Sequence, residues 1–260
     1  MQKPGPALSK WLKLPGFLDE SPSGSQRRTK LPPTRFISVV IPAHNEARYL
    51  ERTLESLQRQ NHHWFEVIVV ANGCTDATVD VARGRCHRLI VLSQKSLGVA
   101  RNLGARMAKG EILLFLDADT ALEPMALRRI AEEFAPGFAC GTIRGVPDNS
   151  KLRYRAFYFF KNTVHRLLLH SGSSGVILCR RADFLKAGGF DEGLEVRENS
   201  QLMRRLLRHG RYFYLGDVAA TTSMRRFENR GFGRVAWLWL KLWAQSMLGD
   251  LHQRRYEPVR

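Results

Sequence analysis

Two carboxylates one residue apart, Asp117 and Asp119, close an apolar run over residues 112–116. Carboxylates at the end of a buried strand are costly unless something cationic sits between them. Hard cations such as Mg²⁺ and Mn²⁺ prefer carboxylate oxygens, and Mg²⁺ commonly binds through one or two carboxylates plus substrate phosphates. The chemistry on offer is a divalent metal held by Asp117 and Asp119 and, through it, the phosphates of a nucleotide. A polar strand exit with solvated aspartates is the plain alternative. Farther along, Thr221, Thr222 and Ser223 lead into Arg225 and Arg226. That pairing of hydroxyls with two arginines could hold the diphosphate of a donor or a phosphate of an acceptor.

These residues need a scaffold, and the hydrophobic pattern supplies one. A β-branched run over residues 35–41 is stopped by Pro42 and predicts a first strand. Leu50, Leu54 and Leu57 give residues 47–59 the period of an amphipathic helix. A second strand is predicted over 65–70, ending in a polar turn in which Asp76 can cap a helix over 77–83. A third strand over 88–92 and a helix over 99–108 lead into the run at 112–116, whose continuous apolar character suits a strand covered on both faces. Strands alternating with helices build a parallel, doubly wound sheet through right-handed crossovers. The turns after the first, second and fourth strands then lie along one edge, where such sheets bind ligands. Beyond Pro124 the pattern loosens: helices are predicted over 125–134, 152–170, 181–186, 201–209 and 231–251, and strands over 138–146, 176–180, 212–215 and 218–222. The expected organisation is a Pro-rich appendage over 1–34 and one domain over 35–230, with halves at 35–124 and 125–230. An aromatic helix and tail over 231–260 complete it.

Forty-one Lys and Arg against 24 acidic residues give a net charge of +17. A field of that sign draws polyanions without choosing among nucleotides, anionic lipids and nucleic acid. No aromatic-basic recognition motif appears, which ranks a nucleic-acid partner last. The four cysteines are scattered without metal-ligand or disulfide-framework spacing and suggest a reducing compartment. No apolar run follows Met1, so no secretory signal is expected. Within the helix over 231–251, which carries Trp237, Trp239 and Trp243, the apolar segment 235–251 is too short and too interrupted to read as a membrane span. A membrane interface, a dimer partner and the protein's own core all suit it.

With the turns in place, the chain resembles glycosyltransferase family 2, inverting enzymes of the GT-A fold, over about residues 36–230. The resemblance rests on ordered motifs: SVVIPAHNE at 38–46, the second-strand turn at 69–76, GVARNLG at 98–104, Asp117-Ala118-Asp119, and GGFDE at 188–192 followed by Glu198-Asn199. It implies an α/β fold of GT-A type, with a doubly wound, mostly parallel sheet flanked by helices and an acceptor-binding second half. By the same resemblance Pro42, Ala43 and Glu46 meet base and ribose, and Asn72 and Asp76 occupy the second-turn positions that read the base. Arg101 lies near the base or phosphates, and Asp117, Ala118 and Asp119 bind the sugar nucleotide and a Mn²⁺ or Mg²⁺ ion. Asp119 is the direct metal ligand; Asp117 bridges ribose and metal. Ser173, Gly175, Asn199, Arg225 and Arg226 fall on the acceptor or phosphate side.

The implied activity moves a sugar from a UDP- or GDP-type donor to an acceptor hydroxyl or a lipid-linked phosphate, in the cytoplasm or at the inner membrane face. In the family the base is usually the acidic residue at the second position of a Glu-Asp pair, where this chain has Asn199. Glu198 and Asp191 are the remaining carboxylate candidates for the catalytic base. Asn199 also leaves open a non-catalytic sugar-nucleotide binding protein on the same fold.

Overall fold

Successive residues of the first strand go to opposite faces of the sheet, and that alternation divides the core. The computed structural model describes residues 35–167, 175–194 and 198–247; the 1–34 appendage, Ser173 and the tail beyond 247 lie outside the described residues. The first half runs β1 (Ile37–Ala43), α1 (Ala47–Gln58), β2 (Phe65–Asn72), α2 (Thr78–Ala82), β3 (Arg88–Leu92), α3 (Leu97–Met107) and β4 (Ile112–Leu116). Ile37, Val39 and Ile41 enter one core layer with Leu50, Leu54 and Leu57 of α1, whereas Val40 enters the other with Ala100 and Ala105 of α3. Strands β1, β2 and β4 are buried along their whole length; β4 is an unbroken apolar run, whereas Ser38 of β1 and Glu66 of β2 are buried as a hydrogen-bonded pair at 2.6 Å.

The second half runs β5 (Thr120–Leu122), α4 (Ala126–Glu133), β6 (Phe138–Pro147), α5 (Leu152–Arg166), β7 (Val176–Arg180) and α6 (Arg181–Lys186). It continues through α7 (Glu198–Leu206), β8 (Arg211–Thr222), α8 (Arg225–Arg230) and α9 (Phe232–Met247). All eight strands join one sheet in the order β3-β2-β1-β4-β7-β6-β8-β5. The pairs β3–β2, β2–β1, β1–β4 and β6–β8 are parallel, and the other three are antiparallel. The chain leaves β1 toward β2 and β3, then returns to β4 on the other side of β1. The crevice between β1 and β4 is therefore the topological switch point, where open α/β sheets take their ligands.

Two expectations change. The strands predicted over 212–215 and 218–222 form one strand, β8, in which residues 216–218 bulge between the pairs Ile143↔Leu215 and Arg144↔Ala219. Short β5 went unpredicted; it exists because Thr120, Ala121 and Leu122 find Thr222, Thr221 and Ala220 across an antiparallel ladder. The inner face of α9 packs into a second, aromatic core. Phe232, Val235, Ala236 and Trp239 lie against Tyr154, Phe157, Tyr158, Met224 and Phe227. Its outer face leaves Trp237 68% exposed, and Leu152 and Phe159 of α5 are exposed as well. Among the described residues no helix is long and apolar enough to cross a membrane. Cys140 and Cys179 oppose each other between β6 and β7 as buried free thiols, and burial pushes both pKa values up.

Helix α3 reaches the sheet through Gly104, where an added Cβ would overlap the Val40 side chain. Gly104→Ala is expected to lower stability by about 1–3 kcal/mol in denaturant unfolding, because an overfilled core must shift. Gly233→Ala, with open space around it at the start of α9, should instead raise stability by up to about 1 kcal/mol, since alanine is the better helix former.

Candidate active site

The turn Asp117-Ala118-Asp119 is clamped by its backbone before any side chain acts. Asp117 N–H donates to the Gly175 carbonyl (2.9 Å), Thr120 N–H to the Asp117 carbonyl (3.0 Å), and Ser223 N–H to the Asp119 carbonyl (3.1 Å). The Thr53 hydroxyl of α1 donates to the Ala118 carbonyl (2.8 Å). Gly175 holds a positive φ of 86°, and a Cβ there would lie 2.5 Å from the Thr120 hydroxyl and 3.2 Å from that of Thr222. So Gly175 serves this site through its backbone. The result is a fixed tip that leaves the Asp117 side chain 44% exposed and the Asp119 side chain 16% exposed.

The turns after β1 and β2 are locked together. Asn45 adopts a left-handed φ of 54° and accepts from Thr75 N–H (2.8 Å) while donating to the Thr75 hydroxyl (3.1 Å). Asn and Asp tolerate that conformation better than other side chains. His44 bonds the Asn72 carbonyl (2.7 Å), and the Cys74 thiol donates to the Ala43 carbonyl (3.2 Å). Pro42 and Ala43 are buried in β1 and can offer a ligand only backbone.

Asn72 is 2% exposed, and its Oδ1 accepts from Ser96 N–H at 2.7 Å. Asp76 accepts from Ala47 N–H (3.1 Å), Thr78 N–H (3.0 Å) and the Thr78 hydroxyl. Burial pushes its pKa up, but those bonds outweigh it and hold the carboxyl below its usual value. The expected base-reading residues thus also build the rim.

Arg101 is the hub. Its guanidinium, 3% exposed, donates from Nη2 to Asp117 Oδ1 (3.2 Å) and from Nη1 to Glu198 Oε1 (2.9 Å) and Asn199 Oδ1 (2.7 Å). It also lies 5.0 Å from the Phe190 ring centroid. Both halves of the Glu198-Asn199 pair therefore face the donor side of the molecule, joined to it by one arginine. Asp191 instead caps its own turn, accepting from Gly193 N–H (3.0 Å) and Gln201 (3.4 Å). That turn is docked by Asn102, whose amide exchanges two bonds with the Phe190 backbone, both 2.8 Å.

A second basic residue crosses the crevice from the far side. Arg225, the first residue of α8, pairs through Nη2 with Glu46 Oε1 and with Asp119 Oδ2 (3.4 Å). Its guanidinium lies over the Tyr49 ring at 4.3 Å. Arg226 is exposed and adds positive potential at both carboxylates. Burial, then Asp117, then Glu46 push Asp119 up to about 6 against the pull of the two arginines. Burial likewise raises Glu46, whose Oε2 is shut from solvent without a hydrogen-bond partner.

Glu46 Oε2 is a buried orphan, and Asp117 and Glu46 add to the rise of the Asp119 carboxyl, so Arg225 does not fully satisfy the carboxylates gathered here. That suits a divalent cation ligated by Asp119 and Asp117. Among the described residues no three His, Cys, Asp or Glu side chains make a ready ligand set. One or two carboxylates completed by phosphates is the usual Mg²⁺ arrangement.

Sequence reasoning passed over Tyr49, Tyr158 and Lys161. Tyr158 and Lys161 lie one turn apart on α5, with the Lys161 amine 5.2 Å from the Tyr158 ring centroid. Desolvation pushes Lys161 down to about 8, against the pull of Asp117. Tyr158 bonds Thr222, whose hydroxyl is 3.2 Å from that of Thr120, next to Asp119. A lone lysine inside an aromatic helix was the only available signal.

The signature of the family described as Glycosyl transferase family 2 matches residues 38–228. The chain belongs to glycosyl transferase family 2. The validoxylamine A glucosyltransferase of Streptomyces hygroscopicus subsp. jinggangensis is 32% identical over 219 residues, covering 67% of this chain and 52% of that protein. Two solved structures share the fold. The crystal structure of S. aureus TarS 1-349 in complex with UDP-GlcNAc has a TM-score of 0.60 at 23% identity, over 72% of this chain and 58% of that one. The mannosyltransferase PcManGT from Pyrobaculum calidifontis, in complex with GDP-Man and Mn²⁺, has a TM-score of 0.59 at 18% identity, over 82% and 61%. This family-2 chain thus spans about half the length of the glucosyltransferase it matches.

The shifted Asp119 carboxyl makes a stability prediction for the metal-free protein. The folded state holds this proton more tightly than the unfolded chain, whose pKa lies near 3.8. Stability therefore falls as pH rises from about 4 to about 6 and stays lower above. Asp119→Asn cannot ionise. In chelator it should exceed the parent in thermal unfolding at about pH 7.5 by roughly 1–3 kcal/mol, with the gap closing toward pH 4. A gap independent of pH would mean that Asp119 is ionised without penalty.

Proposed function

We propose that this chain transfers a sugar from a UDP- or GDP-type nucleotide sugar, with inversion, to an acceptor that already carries a phosphate oxyanion. The observation that carries the donor half is the Asp117-Ala118-Asp119 tip fixed at the switch point, facing Glu46, Arg101 and Arg225. Asp119, with Asp117, would hold Mn²⁺ or Mg²⁺. When bound, that ion would neutralise charge on the leaving diphosphate. Ligands of both solved relatives are nucleotide sugars, and one complex contains Mn²⁺, which supports the same class here.

In the transfer, the bond from the anomeric carbon to the diphosphate breaks and a bond to the acceptor oxygen forms on the opposite face. The nucleoside diphosphate leaves with the bonding electrons. Arg101 orients Asp117, while the interlocked turns after β1 and β2 would offer backbone and rim to base and ribose.

An acceptor hydroxyl needs a base. Asn199 has no basic group, Glu198 is engaged by Arg101, and Asp191 is engaged by its own turn. An acceptor phosphate has no such need. Lys161 and Arg226 would supply the positive lining for it, with Arg225 kept at the donor carboxylates. Exposed Leu152, Phe159 and Trp237, beside Arg155, Arg234 and Lys241, suit contact with an anionic lipid surface, where a lipid-linked phosphate would be met. The second reading, a sugar-nucleotide binding protein without turnover, rests on Asn199 alone.

A thermal-shift panel of UDP, GDP, CDP and dTDP, each with and without Mn²⁺ or Mg²⁺, addresses the donor. One nucleotide should raise the melting temperature in a metal-dependent way. Asp119→Ala should remove that shift and lower transfer by about a thousandfold. Absence of any shift would sink the donor assignment; a shift without turnover on any acceptor would favour the binding protein.

For the acceptor, Lys161→Met is expected to raise KM for a polyprenyl phosphate in anionic vesicles about tenfold or more, leaving the nucleotide shift intact. A weakened nucleotide shift with unchanged acceptor KM would move Lys161 to the donor.

A further inference from the structure

Arg225 meets Glu46 and Asp119 with one nitrogen. Nη2 lies 3.4 Å from Asp119 Oδ2 and closer still to Glu46 Oε1. One carboxylate follows β1 and the other follows β4, so this single atom spans the switch-point crevice. The guanidinium is steadied by the Tyr49 face below it, at 4.3 Å. Behind it, Ser223 N–H is tied to Asp119, and Met224 N–H donates to Asp148 Oδ1 (2.8 Å), fixing the start of α8. Arg225 nonetheless leaves Glu46 Oε2 buried without a partner. One monovalent group thus serves two carboxylates with the third, Asp117, close enough to raise Asp119.

We infer that Arg225 is a resident cation in the metal position, exchanged on binding: its guanidinium leaves Glu46 and Asp119 for the diphosphate when the divalent ion arrives. This rests on the donor site proposed above and adds a coupling to it. Metal alone must displace a guanidinium that has nowhere better to go. Metal arriving with a diphosphate gives that guanidinium a charged, bidentate partner. Arg225 is therefore a positioning residue that makes metal binding conditional on nucleotide. Each ligand must tighten the other by the same factor.

The test titrates Mn²⁺ into the full chain by electron paramagnetic resonance, which counts free ion and needs no turnover. Three proteins are compared: the parent, Arg225→Gln and Tyr49→Leu, the last of which removes the support and keeps the charge. Without nucleotide, Arg225→Gln is expected to bind Mn²⁺ about tenfold more tightly than the parent, and Tyr49→Leu severalfold, within the ordinary range of site-to-site coupling. With saturating UDP or GDP, whichever binds, the tightening of Mn²⁺ by nucleotide should shrink about tenfold in Arg225→Gln.

Unchanged or weaker Mn²⁺ binding by folded Arg225→Gln, judged by circular dichroism, would overturn the inference and leave Arg225 a structural ion pair. If Arg225→Gln does not fold, Tyr49→Leu decides, and no tightening there overturns it. The metal-only arm is independent of the donor reading. Failure of every nucleotide to bind would refute that reading, while a tighter Mn²⁺ site in Arg225→Gln would still uphold the resident cation.

Discussion

A guanidinium shut away from water must find its counter-charges inside the protein, and Arg101 finds them on both sides of the site. It takes Asp117 from the end of β4 and Glu198 and Asn199 from the start of α7, with Phe190 against its face. Removing either carboxylate would leave a buried charge under-compensated, which is more damaging than never having buried it. The two halves of the chain are thus held in register by electrostatics as well as by the sheet. The same contact explains why Glu198, attractive as a base on sequence grounds, is engaged elsewhere.

The rest of the site is an arrangement of opposite charges along one rim. Glu46, Asp117 and Asp119 come from strand ends on one side; Arg225, Arg226 and Lys161 come from helices on the other. Each carboxylate is partly desolvated, so the pocket favours ligands that bring cation and anion together. A metal–diphosphate unit is such a ligand.

How much of this was readable depended on whether the interaction was local. Strands β1, β2 and β4 announce themselves because burial on both faces demands mostly apolar, β-favouring residues, unbroken in Ile112 to Leu116. The Asp117-Ala118-Asp119 turn and the Arg101 helix were visible for the same reason: type and spacing lie within one segment. Strand β5 was not visible, since three residues become a strand only when Thr222 to Ala220 lie beside them. Nor was the structural use of Asn72, whose side chain is committed to Ser96, or the tie from Ala47 N–H to Asp76; only the Asp76 cap on the helix that begins at Thr78 could be read locally. Tyr49 and Lys161 gain their meaning from Arg225 and Asp117, remote in sequence and close in space. Ser173 and the appendage lie outside the described residues.

The interlock between the turns after β1 and β2 has a consequence for change over evolutionary time. Asn45, His44, Cys74 and Asp76 bind one turn to the other through side chains, so a substitution in either is felt by both. A rim wired in this way resists piecemeal revision: reshaping either turn requires concerted replacements. The facing wall includes α5 and α8, which meet through apolar contacts of Tyr154 and Phe157 with Phe227. Apolar contacts accept exchanges of similar volume more readily than a web of directed bonds, so single substitutions are better tolerated on that wall than on the rim.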